Sequence, residues 1–537
     1  MSDETSNNPE WVRLRDGSQV PFDADRIARS LFTASNSLGE PNAFLARELT
    51  DAVVHFLAQD GEAISTAAHI AEQIEKAVRE LGHPRLARRY AELQSTAADD
   101  TEAEPIVAIR VVDSPTDLVR RSLEAYSLNV VYSRDLRAAI ADRLLHVSGL
   151  AAPDTLTHYS VDTRTLGNDS WWLHWDEWKS CGDAWIVDSP EWLSILPADR
   201  SPIIRLCERI IALPRAAGHP VELHLNVAEP PSWLRTHGFG PLFADADDPS
   251  NHSLRFGLQD MLLEQCLSTR DGEAPTIAWH LNEASWRDPS QRGRLKSLVR
   301  HTAQGKAVRF LFDRPRVAIM LAEGMDRKNS GVLFEIGLDL AAFARHADIS
   351  QDGVALLKKL PSLARMAVSA AKQKQQYLRS LPEECPLARG FLIERAACVV
   401  TPIGLDAVVC AATGESMTKS PLSLDFAVRI VQTIKDALRQ ASRSISLDVR
   451  LDGQLHSSDS SWSTADTTVS LRKQLETASQ LHLHAGGGTM TLLLADENET
   501  NVDTLVDLLR WTWQSTSVKR LLLLRASTRL HQGEFPI

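Results

Sequence analysis

Between Trp11 and Phe22 apolar and charged residues alternate. Val12 and Leu14 interleave with Arg13 and Arg15, the chain reaches Asp16-Gly17, and Val20 and Phe22 resume the alternation. A period of two marks a strand, and an Asp-Gly pair between two such runs tolerates the positive φ of a tight turn, so a β-hairpin is predicted. Asp23 comes next as a helix N-cap, ahead of Ile27, Leu31 and Phe32 at helical spacing. Leu45, Leu49, Val53 and Leu57 recur every four residues and define a second helix. A third starts at Ser65-Thr66 and carries Ile70, Ile74, Val78 and Leu81, until Gly82 and Pro84 stop it and launch a short fourth helix ending near Tyr90. Residues 10–94 therefore read as a mainly helical domain with a basic hairpin over it.

The pattern then lapses. Residues 95–106 (STAADDTEAEPI) are small, acidic and turn-forming, and 95–110 reads as a solvated linker. Ser114–His146 shows two helical patterns, and from about residue 195 helix and strand alternate. Helices are predicted over Ile203–Ala212, Gly257–Leu267, Gln291–Gln304 and around Val502–Trp513, with strands over Pro220–Val227, Thr276–Leu281, Ala307–Phe312 and Val518–Leu524. Val332–Leu340 reads as a strand with Val332, Phe334, Ile336, Leu338 and Leu340 on one face, and Ala355–Leu381 as a long helix kinked at Pro361. Such alternation implies an α/β body with parallel pairing over residues 111–537.

Composition narrows the classes. The 537 residues are 43% hydrophobic and 24% charged, ordinary for a folded chain of two to four domains. A net charge of −12 without a lysine- or arginine-rich block argues against nucleic acid as a partner. No run approaches the ~18 apolar residues of a membrane span, and the polar start MSDETSNNPE does not read as a signal peptide, so a cytoplasmic protein is expected. The six cysteines form no CxxC pair, which leaves neither a disulfide framework nor a zinc ribbon. His482 and His484, two apart in what reads as a strand, share a face there, but nothing nearby completes a ligand set and no structural metal is expected. Six tryptophans crowd into Trp171–Trp192 as a stacking surface or, the favoured reading, as packing anchors.

The run from Val12 to Ile27 (VRLRDGSQVPFDADRI), the Ile74-Glu75 helix and the closing Ala87-x-x-Tyr90 resemble the ATP-cone, the regulatory nucleotide-binding domain at the front of ribonucleotide reductases. The resemblance implies ATP or dATP, with magnesium, as an effector. It places the contacts on Val12, Arg13, Arg15, Asp16, Gly17, Arg26, Ile27 and Thr66. Guanidinium forks and a helix N-terminus suit a triphosphate. Leu14 stands where the family usually has a lysine, and Gln94 where it has an arginine.

Later landmarks, in order, resemble the anaerobic (glycyl-radical) ribonucleotide reductase body. Gly331–Ala342 (GVLFEIGLDLAA) occupies the place of the family's T-I-N-L-P-R-I-A strand, Ile403–Ala407 with Thr413-Gly414 resembles G-L-N-E-A…T-G, and His484–Met490 resembles the Y-T-G-G-T strand entry. The implied fold is a degenerate ten-stranded α/β barrel. The family's chemistry needs a thiyl radical on a loop shortly before the Gly331 strand, yet no cysteine lies between Cys266 and Cys385, and Val317–Gly324 (VAIMLAEG) offers no thiol. Neither the family's double CxxC nor its R-V-x-G-Y radical loop is found in the sequence.

Two readings result. The first is a non-catalytic nucleotide-sensing relative, whose partners would be nucleotide together with a second copy of the chain or a working reductase. The alternative is an enzyme of another class, reusing the barrel for hydrolytic or transfer chemistry with His174, Asp176, Glu177 and Cys181. These four lie within eight residues, but triads assemble in space, and polar residues edging an aromatic-packed loop are the simpler account.

Overall fold

Asp23 sets the start of the first helix: in extended backbone, its side chain accepts the Asp25 N–H at 3.2 Å and caps Ala24–Ser37. The structure, a computed structural model, describes residues 11–13, 18–60, 64–95, 115–166, 181–195, 203–231, 249–270, 272–349, 351–385, 387, 392–443, 445, 447–452, 470–486, 488–494 and 501–525. The chain divides into two compact units. One comprises residues 1–146, 150–153 and 354–374; the other, 147–149, 154–353 and 375–537.

The first unit opens with β1 (Trp11–Arg13) and β2 (Gln19–Pro21), paired antiparallel as the alternation predicts, although the turn residues 14–17 lie outside the described residues. A third strand, β3 (Ile64–Thr66), is not signalled by the sequence; it lies parallel to β1 with Arg13 opposite Thr66. At three residues it is too short to show a period. The helices are Ala24–Ser37, Ala43–Asp60, Ala67–Glu80 and Pro84–Ser95, the last running past Tyr90. Ile27, Leu31, Leu49, Val53, Ile74 and Val78 bury the apolar stripes against one another, while Leu45 is only half-buried and Phe44 and Ala46 point inward beside it. Helices Pro115–Val130 and Arg134–Ala141 also belong to this unit.

Most of Gly353–Arg379, a helix that contains Pro361, packs here too. Its polar face meets the first two helices. Lys359 Nζ lies 3.2 Å from Glu48, Ser362 Oγ donates to Asp51 at 2.6 Å, Ser369 Oγ donates to Asp25 at 2.8 Å, and Lys372 Nζ lies 3.4 Å from Asp23. Beneath them Arg47 is buried between Asp25 and Asp135. Burial opposes ionisation of Asp25, but the Arg47 guanidinium still holds its carboxyl below the ordinary value.

After β4 (Leu145–Val147), of which only Val147 is counted in the second unit, that unit continues with β5 (Leu156–Val161), β6 (Gly182–Asp188), β7 (Val221–Leu225), β8 (Thr276–Leu281) and β9 (Val308–Phe312). Strands β5 to β9 are parallel neighbours in chain order, as the βα alternation predicts. A small hairpin, β10 (Met320–Ala322) with β11 (Met325–Asp326), precedes β12 (Gly331–Asp339), β13 (Ala396–Ile403) and β14 (Asp448–Leu451). These three are parallel to one another, with β12 antiparallel to β5. Beyond β9, β16 (Arg520–Arg525) is antiparallel, and β15 (Thr489–Leu494) pairs with β16. The path β14-β13-β12-β5-β6-β7-β8-β9-β16-β15 runs through ten strands of a mixed sheet with intervening helices, and β4 pairs with β12 off this path.

Two local expectations are corrected. Strand β12 stops at Asp339, whose side chain accepts the Ala342 N–H at 2.8 Å and caps a helix beginning at Leu340. Leu340 is therefore helical. A register shift between Val332 and Phe334 also breaks the single-face alternation, and residues 331–338 are all buried. His482 and His484 lie in the helix Leu471–Ala485, not on a strand, and so point in different directions.

Candidate functional site

The first candidate surface draws on β1, β3 and the N-termini of the helices Ala24–Ser37 and Ala67–Glu80. Thr66 ends β3 and caps Ala67–Glu80, its hydroxyl accepting the His69 N–H at 3.2 Å. That fourteen-residue helix has no acidic residue in its first turn, so its positive end is uncompensated from within. The β1–β3 register sets Arg13 beside Thr66. Arg13 and Arg26 are both exposed, and neither has a carboxylate partner among the described residues. Their neighbours differ: Arg29 lies 3.5 Å from Asp23, and Arg47 is buried with two aspartates. Val12 is half-buried and Ile27 is buried, so these two support the surface. Arg15, Asp16 and Gly17 lie outside the described residues. Two uncompensated guanidinium groups and an open helix N-terminus fit a polyphosphate.

The second candidate is the interior face of the large sheet. Leu321, Ala322 and Met325 of the β10–β11 hairpin pack with Ile186, Val332 and Val399 on that face. The hairpin tip is Glu323-Gly324. The Gly324 N–H donates to Asp452 at 3.0 Å, its φ is +65°, and a Cβ there would collide with the Val399 side chain. Glu323 receives Arg520 Nη1 at 2.6 Å. Arg520 Nη2 also donates to both oxygens of Glu222 at 2.7 Å, and Arg309 donates to the same carboxylate. Burial opposes it, but these two arginines hold the Glu222 carboxyl well below the ordinary value.

Next to Glu222 a buried histidine pair joins β7 and β8 and ends on Asp313, just past β9. His224 Nε2 lies 3.1 Å from Glu222, His224 Nδ1 lies 2.9 Å from His280 Nε2, and His280 Nδ1 lies 2.8 Å from Asp313. Both rings are fully buried, and burial pushes the His224 pKa down, which keeps that ring neutral. Asn226 Nδ2 donates to the His280 carbonyl and Asn282 Nδ2 to the Asn226 carbonyl, each at 2.8 Å, locking the strand ends together. Glu335 Oε1 lies 3.8 Å from His158 Nδ1, too far for a hydrogen bond.

Comparison with known proteins bears on both surfaces. The family profile described as the ATP cone domain matches residues 11–97. Residues 11–97 are an ATP cone domain. As such they form a nucleotide-binding regulatory domain, and the cone implies ATP or dATP as effector. Among curated proteins, no sequence matches the chain. Among solved structures, the anaerobic ribonucleotide reductase from Thermotoga maritima in complex with dATP and CTP aligns with a TM-score of 0.56 at 10% identity, covering 76% of this chain and 82% of that one. The same enzyme with citrate in the active site aligns at 0.56 and 11%, covering 76% and 90%. A further anaerobic ribonucleotide reductase gives 0.57 and 10%, covering 76% and 78%. At such identity the likeness is one of fold: the body is a ribonucleotide-reductase-type α/β barrel.

In the barrel, the segment Val317–Gly324 supplies the first strand and the tip of the hairpin, where Glu323 is bound to Arg520. Among the described residues, no helix is long and apolar enough to cross a membrane. His174, Asp176 and Glu177 lie outside the described residues, and Cys181 is buried at the entrance to β6. Of the tryptophan cluster, Trp185 is fully buried with its indole N–H on the Gly182 carbonyl at 3.1 Å, and Trp192 lies under the Arg255 guanidinium at 4.1 Å. Both serve as packing anchors; Trp171, Trp172, Trp175 and Trp178 lie outside the described residues. Sequence reasoning missed the buried histidine pair, though a signal existed: β7 and β8 both end in His-Leu and are followed by Asn, at His224–Asn226 and His280–Asn282.

Proposed function

We propose that the chain is a nucleotide sensor: a cone over residues 10–94, a linker at 95–110 and a barrel over 111–537 that does not reduce ribonucleotides. The observation that carries the sensing half is Arg13, exposed beside the Thr66 cap, with Arg26 exposed near the start of the first helix, neither having a carboxylate partner among the described residues. Val12, Arg13, Arg15, Asp16, Gly17, Arg26, Ile27 and Thr66 form the site. ATP or dATP with magnesium is the effector. A triphosphate supplies the negative charge that this surface lacks, while Arg13 and Arg26 orient it and the helix end donates backbone N–H groups.

The non-reducing half rests on the hairpin tip. Where the reductase resemblance calls for a thiol, the chain presents Glu323, tied to Arg520 and through it to Glu222. A carboxylate in an ion pair holds no unpaired electron at accessible potential and cannot abstract a ribose hydrogen, since such chemistry needs a radical carrier. The interior network acts as a structural replacement for a reactive centre.

Nucleotide occupancy reaches the rest of the cone unit through the helix that carries Arg26. Its N-cap Asp23 and first-turn Asp25 hold Lys372 and Ser369 of Gly353–Arg379. A nucleotide that favours one seating of these contacts shifts the population toward it, and by linkage that seating raises nucleotide affinity equally. The readout is assembly, with a second copy of the chain or a working reductase as partner. Light-scattering mass of the full chain, with and without ATP and dATP, and with a reductase subunit added, tests this. A nucleotide-dependent change in mass supports the proposal; identical masses throughout contradict the assembly readout.

A further inference from the structure

We propose that a phosphorylated small molecule of nucleotide size binds a second site, in the cleft between the β10–β11 hairpin, β14 and the carboxyl-terminal end of helix Pro421–Ser442. This site lies in the barrel unit and does not depend on the cone. The cleft has a volume of about 640 Å³, within the range of small-ligand pockets. Its floor is apolar, with Met320, Met325, Leu438 and Leu447. Five cations reach it: Lys435, Arg439 and the C-cap Arg443 at four-residue spacing along one helix, with Arg450 on β14 and Lys519 just before β16.

The charge balance is what points to an anion. Three acids also line the cleft, Asp326, Asp448 and Asp452. Asp326 and Asp448 neutralise Arg450, at 3.2 Å and 2.7 Å, and Asp452 accepts the Gly324 N–H. Lys435 and Lys519 are positioned, not paired with carboxylates. Lys435 Nζ donates to the His484 carbonyl and Lys519 Nζ to the Gly486 carbonyl, each at 2.6 Å, so both ammonium groups converge on one helix end. Arg439 and Arg443 have no ion-pair partner among the described residues. Burial, then the Arg439 charge, pushes the Lys435 pKa down against the opposing Asp436 carboxylate, with Lys519 adding to the fall.

Lysines that only capped a helix would not need two guanidinium groups beside them that have no ion-pair partner among the described residues. Apolar side chains next to four cations with no ion-pair partner among the described residues suit a ligand with a flat or apolar body and a phosphate end, the phosphate taking the arginine forks. Gly486 and Lys519 directly precede β15 and β16, so the ligand would sit at the amino-terminal end of those strands, against the base of the hairpin.

The test is calorimetric titration of the full chain with AMP, with inorganic pyrophosphate and with adenosine. Each is repeated on an Arg439→Gln, Arg443→Gln variant and on an Arg13→Gln, Arg26→Gln cone variant. Thermal melting of each variant, which should match the wild type because all four side chains are exposed, excludes misfolding. The expected result is AMP or pyrophosphate binding that the cone variant retains, that the Arg439/Arg443 variant weakens at least tenfold, and that adenosine does not show. Binding lost only in the cone variant, binding equal in all three proteins, or no binding of either phosphate compound by the wild type would overturn the proposal.

Discussion

Glu335 is buried near Glu323, Asp452 and Arg520, and burial, with Glu323 the next contributor, pushes its carboxyl up to about 8 from the ordinary 4.5. Between those values the folded chain holds a proton that the unfolded chain has released. Stability must therefore fall as pH rises from about 4.5 to about 8 and level off above, by at most about 1.4 kcal/mol per pH unit. His482 acts in the opposite sense. Burial pushes its pKa down to about 3, so stability rises with pH from about 3 to the ordinary 6.5. Between pH 6.5 and 8 the Glu335 effect is free of that opposition. Urea unfolding across this window should show a slope in the wild type that Glu335→Gln flattens; equal slopes would refute the raised carboxyl. Gly324 gives a second prediction of the same scale. Ala there would need a positive φ and would drive its Cβ into Val399, so Gly324→Ala should cost about 1–3 kcal/mol in unfolding free energy.

At the scale of elements, the hairpin is held in the barrel by charge. Arg520 serves Glu323 on the hairpin tip and Glu222 on β7, two carboxylates that cannot both stay ionised and buried without it. Arg520→Met should destabilise the barrel by about 3–5 kcal/mol, the cost of stranding a buried charge, as read by urea unfolding. A loss below about 1 kcal/mol would mean that the network is not structural. Elements of this kind divide by how local their cause is. The β1–β2 pairing, the Thr66 cap and the strands β8 and β9 were legible, because alternation and capping residues act within a few positions. The Arg520–Glu222 bond joins residues 298 apart, and no local period reports it. Leu340 was misread because its apolar side chain continued the strand pattern while the Asp339 cap had already turned the backbone. For His482 and His484, two histidines at spacing two imitate a strand; the helix is decided instead by Leu475, Ala478 and Leu481 on its buried face and by Gly486 at its end. In the proposed cone site, the motif pointed to Arg13, Arg26 and Thr66 alike, whereas the register that sets Arg13 opposite Thr66 needed β3, which the sequence did not signal.

For the whole molecule, the proposal pairs an effector site in the cone with a barrel in which the ion-paired Glu323 lies on the segment where the reductase resemblance calls for a thiol. Anaerobic incubation with the four ribonucleoside triphosphates, formate and a radical-activating enzyme should yield no deoxyribonucleotide above background. The central claim is nucleotide binding by the cone. The most direct measurement is calorimetric titration of the full chain with ATP and with dATP, each with magnesium, compared with an Arg13→Ala, Arg26→Ala variant whose melting temperature matches the wild type. Loss of two charge-assisted contacts, each worth about 1.5–3 kcal/mol, predicts that affinity in the variant falls by at least about a hundredfold. Unchanged affinity in the variant, or no heat with the wild type at millimolar nucleotide, would contradict it.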